Sequence, residues 1–253
     1  MKQPRSILIT GASSGIGEAL AHSYAADGIH LTLTGRDSTR LSQVAQDCRA
    51  LGAEVIVHAL DVTNREKMAE LIAQVDQAHP LDLVIANAGV SAGSGGQGEN
   101  EEQVRNIFSI NVGGVLNTIW PAINVMKTRR RGQIAIVSSL AGFMGLPGAP
   151  AYSATKVAVK AYGEALHGAL KPDGIAVSVI CPGFVKSRIT AKNDFPMPML
   201  MDAPKAAKII RRGLEKQKLT IVFPWPLAIS TWLMSILPPF LRIWLMSRAP
   251  KKT

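Results

Sequence analysis

Tyr152 and Lys156 stand four residues apart in PAYSATKVAVKAYGEAL, residues 150–166, a run rich in helix formers. Residues four apart share a helix face, so a helix here sets a phenol beside an ammonium. A tyrosine ordinarily ionises near pH ~10, and a neighbouring positive charge favours the phenolate. The pair is thus suited to general acid–base work near neutrality. A second candidate lies at the end of GQIAIVSS (132–139), where Ser138 and Ser139 close an apolar run. A hydroxyl there can polarise a substrate oxygen by hydrogen bonding. A third is TGASSGIG, Thr10–Gly17, in which Gly11, Gly15 and Gly17 permit a tight turn and a close approach of backbone to ligand. The helical segment that follows, GIGEALAHSYAADG, would present free N–H groups at its N-terminus to a phosphate.

These residues need elements to hold them. Short β-branched runs alternate with helix-like stretches along the chain. SILIT (6–10), IHLTLTG (29–35), AEVIVHALDV (53–62), LDLVIANAG (81–89), GQIAIVSS, GIAVSVICPG (174–183) and LTIVF (219–223) read as seven strands. A long helical stretch from about Glu101 to Thr128 separates the fourth strand from the fifth. Such alternation predicts an α/β fold: one doubly wound, Rossmann-like domain with a seven-stranded parallel sheet. The glycine loop then follows strand one, where the ligand crevice of such a sheet opens. Domain boundaries are set at residues 1–223 for the catalytic unit and 224–253 for an apolar, basic, helical tail.

The glycine spacing is G-x-x-x-G-x-G, and with NAG (Asn87–Ala88–Gly89), NVGG from Asn111, VSSLAG, Y-x-x-x-K and PGFV (Pro182–Val185) it resembles the short-chain dehydrogenase/reductase family. Ala86 replaces a frequent second asparagine, and Ser187 a usual threonine. The resemblance covers roughly residues 5–223. It implies that Ser139, Tyr152, Lys156 and Asn111 are the catalytic set. Tyr152 would exchange a proton with a carbonyl oxygen, its pKa lowered by Lys156, and Ser139 would polarise that oxygen. Asn111 would hold a water linking Lys156 to solvent; Ser138 is read as structural. The implied cofactor contacts are Gly11, Ser13, Ser14, Gly15, Ile16, Gly17, Asp61, Val62, Asn87, Ala88, Gly89, Pro182, Gly183 and Val185, with Tyr152 and Lys156 at the nicotinamide ribose.

The end of the second strand bears on which nicotinamide cofactor is used. An acidic residue there would bind a ribose 2′-OH. Gly35 stands there instead, followed by Arg36, whose guanidinium suits a 2′-phosphate. NADP(H) is therefore favoured over NAD(H), the alternative being a solvated Arg36 with Asp37 on the ribose.

Net charge is +10, yet residues 211–253 hold eight Lys or Arg against one Glu, a net of +7. The basicity belongs to the tail and does not indicate nucleic acid. Cys48 and Cys181 have no His or Cys neighbour in ligand register, so no metal is expected, and both read as reduced thiols of a cytoplasmic protein. No export signal is read at the N-terminus. KTRRRG (127–132) reads as the C-terminal cap of the fourth helix. SAGSGGQG (91–98) reads as a loop near the substrate mouth, and Met197, Met199, Leu200 and Met201 as an adaptable apolar lid or as ordinary packing.

Leu219–Leu241 carries no charge over 23 residues, and Trp225, Trp232 and Trp244 lie in the tail. Pro224, Pro226, Pro238 and Pro239 cut it into pieces too short to span a bilayer. Two short apolar helices with tryptophans and flanking cations suit a peripheral contact with the inner face of a membrane. The alternatives are a tail folded over the cleft or buried between subunits. The expected activity is NADPH-dependent interconversion of a carbonyl and an alcohol by hydride transfer, on a substrate that the apolar tail hints is lipophilic. The other readings are a non-catalytic NADP(H)-binding sensor and a membrane-associated scaffold. The resemblance implies a homodimer or homotetramer.

Overall fold

The computed structural model describes residues 3–91, 99–192 and 195–247. Seven strands form one parallel sheet: β1 Ser6–Thr10, β2 His30–Gly35, β3 Glu54–Ala59, β4 Leu83–Ala86, β5 Gly132–Val137, β6 Ile175–Pro182 and β7 Thr220–Phe223. Their order is β3-β2-β1-β4-β5-β6-β7. β1 is flanked by β2 and β4, with Ile9 opposite Leu33 on one side and Ile85 on the other. The order therefore reverses between β1 and β4, which opens a crevice at their carboxyl ends.

Both faces of the sheet are apolar because both are covered. Ile7, Ile9, Leu31, Leu33, Leu83 and Ile85 face the layer of α1 (Gly15–Tyr24), α2 (Ser38–Ala50) and α7 (Ala203–Glu215). Leu8, Val84, Ile134, Ile136 and Val177 face α3 (Arg65–Ala78), α5 (Gly114–Thr128) and α6 (Pro150–Ala169). The period-two alternation of the strands sends neighbours into opposite cores.

The long fourth helix has an interruption that the sequence does not announce. α4, Glu101–Phe108, runs into a π-helical turn, Ser109–Gly113, before α5 resumes. Asn111 lies in that turn and is fully buried. Single π turns in α-helices often mark functional positions. At the far end, Arg129 donates to the Val125 carbonyl at 3.0 Å and to Asp76, so the expected cationic cap is present.

After β7, α8 (Trp225–Ile236) and α9 (Pro239–Ser247) form two short helices, separated at Leu237–Pro238. No described helix is long and apolar enough to cross a membrane. Arg248, Lys251, Lys252 and residues 92–98 of the glycine-rich loop lie outside the described residues. The methionine segment closes back on the sheet side through a bridge between Val185 and Met201, while Met199 and Leu200 are exposed.

Candidate active site

The cradle is built from the ends of β1 and β4. Gly11 has φ +66, and a Cβ there would lie 2.8 Å from Ala88 Cα. A Cβ at Gly17 would lie 2.4 Å from the Gly11 oxygen and 2.6 Å from Asn87 Nδ2. Only glycine admits this turn and this approach. Asn87 clamps it: its Nδ2 donates to Thr10 O at 2.9 Å and Gly11 O at 3.2 Å. Thr10 Oγ1 returns the favour by accepting from the N–H groups of Asn87 and Ala88. The N-cap residue of α1, Ser14, makes no side-chain capping bond. The first N–H groups of α1 are thus left to an external anion.

Beyond Gly35, the site is lined by two guanidinium groups. Arg36 is the expected one, with its Nη1 4.0 Å from Asp61. Arg40 is the unforeseen one; it pairs with Asp37 at 2.7 Å, and its buried Nε has no hydrogen-bond partner among the described residues. Asp37 also caps α2 by accepting from Arg40 N at 3.0 Å. An aspartate so engaged is poorly placed to serve a ribose. The orphaned Nε, the free α1 terminus and the glycine cradle fit a phosphate-rich dinucleotide.

One cleft of about 560 Å³ joins these features to the Tyr–Lys pair. Gly11, Ser13, Ser14, Gly15, Ile16, Arg36, Asp61, Val62, Asn87, Ala88, Gly89, Ser139, Tyr152, Lys156, Pro182, Gly183 and Val185 all line it. Two expected residues do not. Gly17 supports the cradle from beneath, and Asn111 sits behind the wall.

The catalytic end is held by α6. Its N-cap residue, Ala149, has no side chain to cap with, and Pro150 follows. Glu99 supplies the cap from 52 residues away: Oε2 accepts from Ala151 N at 2.6 Å and Oε1 from Tyr152 N at 3.4 Å. No sequence signal marks Glu99 for this task. Arg40 lies in the first turn of α2, just past the end of β2, and no motif marks it either.

Lys156 is buried, and its Nζ donates to Val137 O at 3.0 Å, at the end of β5. It lies 5.7 Å from the centre of the Tyr152 ring. Burial pulls its pKa down to about 8, against a smaller upward pull from Cys181. Ser138 Oγ donates to the Lys156 carbonyl at 2.7 Å and takes the structural position. Ser139 Oγ accepts from Ala141 N at 3.1 Å and lies 3.4 Å from Pro182 O.

One expectation needs revising. Tyr152 is not pulled down in the chain alone: burial pushes its pKa up, and the Ser139 hydroxyl only partly opposes this. The side chain of Asn111 is held by hydrogen bonds. Its Oδ1 accepts from Val90 N at 2.8 Å, and its Nδ2 donates to Val90 O and to Thr155 Oγ1. Thr155 Oγ1 in turn donates to Tyr152 O at 2.8 Å. The amide donors of Asn111 thus brace the cleft wall against α6.

At the opposite edge of the sheet, His30, Glu54 and His79 bring ligand atoms within 4.8 Å of one another. His30 Nδ1 pairs with Glu54 at 3.1 Å and the two imidazoles stack at 3.8 Å, an arrangement remote from the cleft.

A doubly wound sheet of this order, with a glycine cradle and a crevice at its switch point, is the architecture of dinucleotide-binding proteins. The chain matches the short chain dehydrogenase family over residues 5–196 and belongs to it. An uncharacterized oxidoreductase of Myxococcus xanthus is 40% identical over 235 residues, covering 92% of this chain and 93% of that one. A 3-dehydrosphinganine reductase of Arabidopsis thaliana is 35% identical over 182 residues, covering 70% of this chain and 54% of the relative. A solved short-chain dehydrogenase from Sphingobium yanoikuyae in complex with NADPH superposes with a TM-score of 0.81 at 25% identity, covering 98% and 97% of the two chains. The protein is accordingly an NAD(P)-dependent oxidoreductase of the short-chain dehydrogenase/reductase type.

Proposed function

We propose that this enzyme is an NADPH-dependent reductase of a lipophilic aldehyde or ketone, working reversibly on the matching alcohol. The observation that carries the reading is the meeting of Ser139, Tyr152 and Lys156 in the cleft that also holds Arg36 and Arg40. When bound, the reduced nicotinamide supplies the hydride.

The chain's own residues do the rest. The N–H groups at the start of α1 and the hydroxyls of Ser13 and Ser14 hold phosphate oxygens. Arg36 and Arg40 select the 2′-phosphate, since Asp37 is committed to α2. Asp61 and Val62 flank the adenine. Asn87–Gly89 and Pro182, Gly183 and Val185 wall the nicotinamide half, and Lys156 and Tyr152 reach its ribose.

Tyr152 gives its phenolic proton to the carbonyl oxygen, and Ser139 steadies that oxygen by hydrogen bond. A raised phenol pKa suits this direction, because the acid must be protonated at neutral pH. Lys156, with its pKa near 8, can pass a proton toward Tyr152 after each turnover. Asn111 acts through Thr155 and Val90 as a brace, with any relay water placed beyond its side-chain donors.

Lipophilicity is supported by the apolar surroundings of the Ser139 end, where Leu140 packs with Phe143 and Leu227. The name of the Arabidopsis thaliana relative, a 3-dehydrosphinganine reductase, points the same way. Residues 1–223 form the catalytic unit and 224–253 a tail serving the substrate's approach. We place the enzyme in the cytoplasm, in line with two buried free cysteines, as a homodimer or homotetramer.

The test is NADPH oxidation followed by absorbance with aldehydes and ketones of rising chain length, beside NADH and the Tyr152→Phe variant. Turnover that prefers NADPH, rises with chain length and disappears in the variant supports the reading. Tight NADPH binding without turnover on any substrate contradicts it.

A further inference from the structure

The two tail helices carry their apolar residues on the wrong side for a solvated helix. In α8, Trp225, Ile229, Trp232, Leu233 and Ile236 recur at i, i+4, i+7, i+8 and i+11, the spacing of one helix face. All five are exposed, Trp225 at 72%. The opposite face is the one that packs inward, through Leu227 and Ala228 against Leu140, Val179 and Cys181. α9 likewise exposes Phe240, Ile243 and Trp244, Phe240 at 76%. A contiguous exposed patch of this kind marks an interaction surface.

The C-terminal sequence carries charge of one sign. After Glu215 the sequence contains no Asp or Glu, while Lys216, Lys218, Arg242, Arg248, Lys251 and Lys252 are all cationic. Arg242 lies between the helices, its Nη1 reaching Ser235 O at 3.3 Å. Self-pairing of two such tails would bring like charges together, whereas anionic headgroups complement them. α8, with 12 residues, is about 18 Å long and falls short of a roughly 30 Å hydrocarbon core. Tryptophans at this density suit the headgroup boundary.

The position of the patch gives it a purpose. α8 is rooted on the turn Leu140–Phe143, directly after Ser139. Leu227 Cδ2 also lies so near Gly183 of the cleft wall that a Cβ at Gly183 would be 3.1 Å from it. The outward stripe is thus tied to the substrate end of the cleft, away from the arginines at the 2′-phosphate end.

We propose that α8 and α9 dock on the surface of an anionic lipid bilayer and hold the substrate end of the cleft against it, so that a membrane-dissolved carbonyl compound enters from the lipid. The substrate half of this inference rests on the reductase reading above; the docking half does not.

The test is flotation of the purified full chain with vesicles of phosphatidylcholine alone and of phosphatidylcholine with phosphatidylglycerol. The chain is expected to float with the anionic vesicles, less with the neutral ones, and to be partly released by salt. A triple variant, Trp225→Ser, Trp232→Ser and Phe240→Ser, changes only exposed positions and is expected to partition about tenfold less. Its kcat/KM is expected to stay unchanged on a short water-soluble ketone and to fall about tenfold on a long-chain ketone embedded in vesicles. A chain that stays unbound with both vesicle types overturns docking, as does a variant that floats like the parent. An oligomer that dissociates in the variant without any flotation of the parent also overturns it and assigns the patch to a second copy. Flotation with equal losses on both ketones overturns substrate entry from the lipid. A chain that floats but reduces no carbonyl supports docking and defeats the reductase reading instead.

Discussion

Replacing Lys156 by Met should make the cofactor-free protein more stable at neutral pH while abolishing turnover. The buried ammonium has its pKa pulled from 10.5 to about 8. Linkage then makes the protonated lysine cost the fold about 3 kcal/mol at pH 7. At about pH 9.5 the folded-state lysine is already neutral, and the residual cost is about 1 kcal/mol. The sign follows from proton uptake: between pH about 8 and 10.5 the unfolded chain binds the proton that the fold rejects, so this site adds stability as pH rises. Met keeps the length and the apolar stem but orphans the Val137 carbonyl, which costs about 1–2 kcal/mol. Lys156→Met is therefore expected to be more stable than the parent by about 1–2 kcal/mol at pH 7. That gap should shrink by about 2 kcal/mol at pH ~9.5. Urea denaturation of both proteins at the two pH values measures it, and groups common to both cancel in the difference. A gap that does not move with pH, or a variant several kcal/mol less stable at pH 7, would refute the view of Lys156 as a desolvated, weakly compensated cation.

Three further outcomes follow from particular contacts. Arg40→Ala removes the guanidinium whose Nε lies unpaired beside the cleft, and is expected to raise KM for NADPH about tenfold with KM for NADH little changed; equal effects on both cofactors would place Arg40 outside the 2′-phosphate site. Glu99→Ala strips the N-terminus of α6 of its cap and is expected to lose about 1 kcal/mol of stability, with Glu99→Gln recovering most of it because an acceptor remains; thermal denaturation showing Ala and Gln alike would dismiss the cap. Cys48 is buried, and its thiol is pushed up from 9.0 to about 11, so it contributes stability that is present below pH 9 and is lost as pH rises toward 11. Cys48→Ala should accordingly gain about 1.4 kcal/mol on the parent between pH ~8 and ~10, read from denaturation midpoints.

The strands were legible because a sheet covered on both faces demands β-branched runs such as Ile7–Ile9 and Ile134–Ile136 on both alternations. The glycine loop was legible because Gly11 and Gly17 meet steric demands that no other residue satisfies. Tyr152 and Lys156 were legible as a pair, since helix periodicity is local. What the pair does was not. The Lys156 ammonium turns to a carbonyl on β5, a contact set by how α6 packs on the sheet, and burial of Tyr152 raises its pKa where a fall was expected. The same holds for Asn111, whose partners Val90 and Thr155 are 21 and 44 residues away, and for the π turn that carries it. Glu99 is the extreme case, a cap delivered across 52 residues to a helix whose own N-cap is alanine. The tail divided into helices where Pro238 and Pro239 said it would, because proline breaks are local too.

The central claim is that Tyr152 is the acid of a carbonyl reduction run on NADPH. The most direct measurement is NADPH consumption with a long-chain ketone by the parent enzyme and by Tyr152→Phe, with NADPH affinity measured separately for both. The account predicts NADPH binding preserved within a few-fold in the variant and turnover lowered by about 10²–10⁴, the usual contribution of a positioned acid. A Tyr152→Phe enzyme that still reduces the ketone at a rate near the parent's would contradict it.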